Sequence, residues 1–332
     1  MALLEIKNLH TYFKTKRGMI KAVYGVDLSL DKGRTLGVVG ESGSGKSQTA
    51  MSILRLFEKN QEIYEGEIIF DGEHIETKSI KEMEEIRGND ISIIFQEPMT
   101  SLNPVFTVER QLSEVFMLHQ NMNAKEAAEN SVKMLEMVKI PNPDVVVKQY
   151  PFELSGGMNQ RVMIAMALAC RPKMLIADEP TTALDVTIQA QILKLMNDLK
   201  EQTNTAIMFI THDLGVINQM ADDVAVMYCG QVVEMAPVDY IFKDETTNYS
   251  HPYTEGLLSS IPSITSDRTQ RLSTIPGSVP HPLDLPEGCR FAERCKYATQ
   301  KCVDEMPDIV KVNEFQEIRC FYPEKGVRSS GK

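Results

Sequence analysis

Gly40-Glu41-Ser42-Gly43-Ser44-Gly45-Lys46-Ser47 decides how the rest of this chain is read. The octapeptide satisfies G-x-x-x-x-G-K-[ST]. It lies between an apolar run, Thr35 to Val39, expected as a strand, and a helical segment expected to run to about Phe57. Its glycines let the backbone N–H groups of the loop, those of Ser42, Gly43, Ser44 and Gly45 among them, surround the β- and γ-phosphates of a nucleotide. Lys46 adds a point charge, and the Ser47 hydroxyl can reach a magnesium ion. Further along, Met174-Leu175-Ile176-Ala177-Asp178-Glu179-Pro180 is an apolar strand ending in two carboxylates. Asp178 would hold magnesium, directly or through water. Glu179 stands where a base polarises an attacking water. A Gly-rich turn or a solvated strand end accounts for either piece alone. The two together imply binding and hydrolysis of a nucleoside triphosphate.

Composition sets the bounds. The 332 residues suffice for two domains, and 42% hydrophobic with 24% charged residues is the balance of a globular protein. A net charge of −11 argues against a polyanion, so no nucleic-acid partner is expected. The longest apolar run, Val162 to Cys170, is nine residues, short of the roughly 18 needed to span a bilayer. The N-terminus lacks a basic segment followed by a long apolar one, and a cytosolic location is expected.

Residues 3–39 alternate apolar and polar positions between turns at Lys16-Arg17-Gly18 and Asp31-Lys32-Gly33, as a strand-rich lobe would. Gly66 to Phe70 reads as another strand, closed by Asp71-Gly72. From about 98 to 172 the period turns helical, with Ala127, Ala128, Val132, Leu135 and Val138 marking one face of a helix. Strand (Met174 to Ala177), helix (Val186 to Lys200) and strand (Thr205 to Ile210) then alternate, which implies a parallel sheet with its ligand beyond the carboxyl ends of the strands. Both phosphate motifs occupy such ends and are expected to share one cleft.

From Thr246 to Pro286 periodicity gives way to Pro, Ser and Thr. Cys170 and Cys229 read as small core residues. Cys289, Cys295, Cys302 and Cys320 crowd the C-terminus with C-x5-C-x6-C-x17-C spacing. In a cytosolic chain such a cluster suggests a metal rather than disulfides. The intervals are wider than zinc knuckles use, which favours a [4Fe–4S] cluster with Zn2+ as the alternative. The segment looks too polar to bury four thiols without a ligand. Arg290, Arg294, Lys296 and Arg319 would offset the cluster's charge.

Leu154-Ser155-Gly156-Gly157-Met158-Asn159-Gln160-Arg161, together with Ala183-Leu184-Asp185 and Ile210-Thr211-His212-Asp213, completes a set that resembles the ATP-binding subunits of ABC transporters. The fold this implies is α/β: a P-loop ABC cassette over residues 1–243 with a strand-rich lobe, a parallel RecA-like sheet and a helical subdomain at about 98–172. An irregular, cysteine-rich extension over 244–332 would follow. Met158, the run Ser47-Gln48-Thr49-Ala50 and Ile275-Pro276-Gly277-Ser278-Val279-Pro280 narrow the resemblance to the D-type ATPase subunit of dipeptide and oligopeptide importers.

The resemblance implies further roles. Ser155, Gly156 and Gly157 grip the γ-phosphate of an ATP held by a second ATPase subunit, either a paralogue or a copy, and Asp185 crosses that interface. Gln96, in Phe95-Gln96-Glu97-Pro98, touches magnesium and the attacking water; His212 contacts the γ-phosphate. Gln48 replaces the usual Thr near the α-phosphate. Phe13, five residues after Asn8, stacks on adenine, with Tyr12 as the fallback; stacking discriminates poorly between ATP and GTP. Two transmembrane permeases and, indirectly, an external peptide-binding protein are the implied partners, with the chain peripheral to the cytoplasmic face of the membrane. A DNA-repair or chromosome-maintenance ATPase with the same signature is the alternative, disfavoured by the acidic charge and the lack of a long heptad insertion.

Overall fold

The computed structural model describes residues 2–96, 101–182, 184–243, 247–261 and 274–326. Glu97, Pro98, Ala183 and the middle of the Pro-rich arm, Pro262 included, lie outside them. Two compact units are each assembled from separate stretches: Met1–Leu3, Leu30–Arg34 and Thr77–Ile210 form one, and Leu4–Ser29, Thr35–Glu76 and Thr211–Lys332 the other.

The first unit is built on three parallel strands. Met174–Asp178 pairs on one side with Ile91–Ile94 (Ile94 opposite Ala177) and on the other with Ala206–Thr211 (Asp178 opposite Ile210). Every residue of Met174–Asp178 and Ala206–Thr211 is buried, as expected of a strand covered on both faces. The helices Val108–Gln120, Ala124–Met137 and Gly156–Leu168 pack on one another. Asn123 and Glu126 start the second of these with a reciprocal capping box. Its buried face is Ala127, Ser131, Met134, Leu135 and the following Val138, whereas Ala128 and Val132, counted from periodicity, are only half-buried. Ser131 escapes apolar counting because its hydroxyl is satisfied by the Ala127 carbonyl at 2.8 Å and the Ser113 hydroxyl at 3.2 Å.

In the second unit a four-stranded sheet runs in the order Gly18–Asp31, Ala2–Thr15, Gln61–Phe70, Glu73–His74. Asp71 (φ 48°) and Gly72 (φ 86°) both take the left-handed conformation in the turn that joins its last two strands. A second sheet places Thr35–Val39 parallel to Asp223–Tyr228, which pairs antiparallel with Gln231–Pro237. Helix Lys46–Leu54 stops short of Phe57 because Arg55 turns left-handed and returns its N–H to the Met51 and Ser52 carbonyls.

The extension is less irregular than its composition implies. Glu317–Ile318 pairs antiparallel with Gln231–Pro237, and Val310–Lys311 pairs with Glu317–Ile318, extending the sheet. Glu234, fully buried, accepts from the His251 N–H at 2.8 Å and the Gln316 amide at 2.7 Å, so no uncompensated carboxylate is left inside. The Tyr228 and Tyr253 rings lie 4.7 Å apart, with Phe291 at 5.2 and 5.4 Å from them. Each such buried ring contributes on the order of 2 kcal/mol. This cluster joins a sheet strand, helix Pro252–Ser259 and the cysteine-bearing segment into one core.

Candidate functional site

The phosphate loop leaves Val39 with Gly40 at φ 154°, where a Cβ would collide with the Met227 carbonyl. Gly45 (φ 101°) turns the chain into helix Lys46–Leu54, and a Cβ there would sit 2.6 Å from the Ala22 carbonyl. Only glycine fits either place. The helix has no side-chain cap bond and no acidic residue in its first turn, which leaves its N-terminal dipole to favour an anion. Lys46 is buried, its ammonium donating to the Gly40 carbonyl at 2.8 Å and the Glu41 carbonyl at 3.0 Å. Ser42 and Gly43 are exposed, Ser44 is buried and Ser47 half-buried. The Gln48 carboxamide oxygen accepts from Gln61 at 2.9 Å, and Gln61 lies opposite Phe13 in the sheet. Phe13 is half-exposed. Its neighbour Tyr12 bonds His10 at 2.8 Å and packs its ring 4.6 Å from Tyr64. His212 is exposed in a tight turn: the Asp213 N–H donates to the Thr211 hydroxyl at 3.0 Å, and Asp213 caps helix Leu214–Met220.

The remaining candidates lie in the first unit. Asp178 is buried at its strand end. Glu179 adopts φ 47°, rare for a residue with a Cβ, and its N–H donates to the Ile210 carbonyl at 2.9 Å. Its carboxylate accepts from the Gln96 amide at 3.1 Å and the Thr182 hydroxyl at 2.9 Å. The structure therefore brings Gln96 and Glu179 together, and it adds Thr182, which sequence reasoning missed. The turn that places Thr182, closed by its N–H on the Glu179 carbonyl at 3.2 Å, was foreshadowed by Pro180-Thr181-Thr182.

Ser155 caps helix Gly156–Leu168, accepting from the Met158 N–H at 3.3 Å, and Ser155 and Gly156 are exposed. Gly157 is needed for close packing, because a Cβ there would lie 2.9 Å from Ile188. Ile188 belongs to helix Val186–Thr203, whose cap is Asp185, accepting from Thr187 and Ile188 at 3.0 Å each. Ile188 thus meets both Gly157, through its side chain, and Asp185, through its N–H.

Cys289, Cys295, Cys302 and Cys320 line a single apolar pocket with His251, Phe291, Pro307 and Phe321. Of the four, Cys302 is buried and Cys289, Cys295 and Cys320 are half-buried, with aromatic and proline side chains lining the pocket around them. Burial pushes the Cys289 thiol up to about 11 and the Cys320 thiol up to about 12, and raises Cys295. The Tyr322 N–H approaches the Cys320 sulfur at 3.3 Å. Among the described residues, no group of three or more His, Cys, Asp or Glu side chains is arranged to hold a metal ion. The basic neighbours take their hydrogen-bond and ion-pair partners away from the thiols, while Arg319 also lies within electrostatic reach of Cys289. Arg290 donates to the Cys229 carbonyl and stacks over Tyr24, Arg294 pairs with Glu41, Lys296 with Glu255 at 2.6 Å, and Arg319 donates to the Val232 carbonyl at 3.1 Å. Of the two remaining cysteines Cys229 is buried, while Cys170 is half-buried rather than core.

Residues 23–182 match the model of the ABC transporter family, and residues 233–302 that of the oligopeptide/dipeptide transporter C-terminal region. The chain is 52% identical over 330 residues to the oligopeptide transport ATP-binding protein AppD of Bacillus subtilis (strain 168), with 99% of each chain covered. It is 49% identical to the oligopeptide transport ATP-binding protein OppD of Haemophilus influenzae, covering 96% of this chain and 97% of that one. Among solved structures, the dimeric post-hydrolysis state of an ATP-binding cassette bound to ADP and Pi superposes with a TM-score of 0.64 at 27% identity, covering 71% of this chain and 98% of the other.

Proposed function

We propose a mechanism that starts from the family to which this chain belongs, the ATP-binding proteins of oligopeptide ABC transporters: the chain hydrolyses ATP to drive uptake of di- or oligopeptides. The observation that carries the nucleotide assignment is the phosphate loop, where a buried Lys46 lies over loop carbonyls beside an uncapped helix N-terminus. Lys46 and the loop N–H groups take the β- and γ-phosphates, while Phe13 takes the adenine face. Ser47, Asp178 and Gln96 each carry an oxygen donor of the kind a hard divalent cation requires and would serve as its ligands; magnesium, when bound, would neutralise the phosphate oxygens. Glu179 accepts the proton as the oxygen of water attacks the γ-phosphorus and the bond to the bridging oxygen breaks, releasing ADP and phosphate. Its bonds to Gln96 and Thr182 hold the carboxylate for that task. His212 bears on the γ-phosphate.

Ser155, Gly156 and Gly157 would serve an ATP on a second ATPase subunit, with Asp185 at the same interface. Exposure of the signature serine, and of Val186 at 82%, supports a partner there. Two permeases would take up exposed apolar residues of the helical segment, among them Val105 and Leu118, at 70% each, and Phe152 at 66%. An external peptide-binding protein would deliver the substrate, and the chain would work at the cytoplasmic face of the membrane. Among the described residues no helix is long and apolar enough to cross a membrane. The DNA-repair alternative has no observation in its favour.

The division into a cassette, 1–243, and an extension, 244–332, belongs to this proposal. So does a [4Fe–4S] cluster, or zinc, on the four cysteines, for which the shared apolar pocket and the backbone N–H at a sulfur speak. Its role would be to clamp the extension. Isolating the chain from its native membrane tests the assembly: two multi-spanning proteins and a second ATPase should co-purify. Recovery of the chain with DNA-processing proteins instead would refute it.

A further inference from the structure

Glu41, the second residue of the loop assigned to the triphosphate, brings a carboxylate to that loop. Arg294, far along the extension, answers it with two parallel hydrogen bonds, Nη1 to Oε2 at 2.6 Å and Nη2 to Oε1 at 3.1 Å. This is the fork-on-carboxylate geometry that makes an arginine pair strong and directional. The Arg294 side chain is only 4% exposed and that of Glu41 31%, so the guanidinium side of the pair is shielded from screening and the carboxylate side partly so. Nε of Arg294 donates to the Pro276 carbonyl at 2.9 Å, and Nη1 also reaches the Tyr228 hydroxyl at 3.4 Å, which fixes the guanidinium in the extension. On the loop side the Glu41 N–H donates to the Tyr253 hydroxyl at 2.8 Å, and the Glu41 carbonyl accepts from Lys46. One loop residue is thus gripped through side chain, N–H and carbonyl, two of the three grips coming from beyond residue 250.

We propose that Arg294 is a positioning residue for ATP binding: it neutralises the Glu41 carboxylate and so removes a like charge from the loop that receives the triphosphate. The proposal rests on the assignment of the loop as the phosphate site. It gives the extension a part in nucleotide affinity that a simple clamp would not have. A carboxylate left bare beside a triphosphate weakens binding by about tenfold, and more at low salt.

The test is calorimetric titration of the full chain with ATP and magnesium. Arg294→Gln should weaken ATP binding about tenfold, and adding Glu41→Gln in the double variant should return it to within about twofold of the unaltered protein. The gap between Arg294→Gln and the unaltered chain should narrow at high salt. If Arg294 only ties down the extension, Glu41→Gln will not restore binding, and that result overturns the proposal, as does unchanged affinity in Arg294→Gln. Should Arg294→Gln fail to fold, the double variant is compared with the unaltered protein: affinity within about twofold supports the proposal, and a tenfold loss overturns it. Lys46→Ala separates the two levels. If it loses ATP while Arg294→Gln does not, only this inference fails; if it leaves affinity unchanged, the loop assignment fails as well.

Discussion

Glu179→Gln isolates the chemical step from everything else Glu179 does. The residue holds φ 47°, which costs a side-chain-bearing residue on the order of 1–3 kcal/mol, and Gln pays the same cost. Its carboxamide oxygen can still accept from Gln96 and Thr182, now at 3.1 and 2.9 Å from the carboxylate, so the local shape survives. What disappears is the ability to take a proton from water. Loss of a general base lowers a rate by about 10²–10⁴, equivalent to about 3–5 kcal/mol of barrier. Single-turnover hydrolysis by the assembled transporter, measured beside ATP affinity and thermal unfolding, gives the three readouts needed: hydrolysis down by that factor, affinity and unfolding midpoint unchanged. Glu179→Gly supplies the counterpart, since it relieves the left-handed backbone and should unfold no earlier while being just as slow. Turnover within a few-fold of the unaltered complex in Glu179→Gln would refute the base assignment.

Lys46→Ala removes the cation that lies over the Gly40 and Glu41 carbonyls, and should weaken ATP binding at least tenfold in equilibrium titrations; unchanged affinity would mean the phosphates lie elsewhere. Gly157→Ala places a Cβ 2.9 Å from Ile188 and should shift the signature helix; a loss of ATPase activity with ATP affinity intact is expected, and full activity would show that the contact yields freely. The isolated chain should be a weak ATPase whose specific activity falls on dilution, because Ser155 would serve a nucleotide on another chain; concentration-independent full activity would contradict composite sites. Anaerobically purified protein should be brown with about four irons per chain, and a colourless preparation with one zinc would replace the cluster while keeping the clamp.

How much of this was legible in the chain depended on distance along it. The phosphate loop, the Asp178-Glu179 strand end and the Ser155 helix start are contiguous motifs whose residues act through their own backbone, and the structure forms them where they were expected. The contact between Gln96 and Glu179 joins residues 83 apart, and nothing local announces that Glu179 turns left-handed to make it. Glu317–Ile318 and Val310–Lys311 are too short to show alternation, so their addition to a sheet was invisible in a segment that composition marks as irregular. Arg290, Arg294 and Arg319 were read as counter-charges for the cysteines because they are neighbours in sequence. Long side chains answer to what they can reach, however: each finds a hydrogen-bond partner elsewhere, Arg294 one that is 253 residues away, while Arg319 keeps an electrostatic interaction with Cys289.

The most direct test of the central claim couples the two activities in one preparation: the chain, co-purified with its permeases and reconstituted in vesicles, is supplied with ATP, a binding protein and labelled oligopeptide. ATP hydrolysis and peptide accumulation should appear together, and Glu179→Gln should abolish both while ATP still binds. Peptide accumulation that persists in Glu179→Gln, or robust hydrolysis that never moves peptide, would contradict the account.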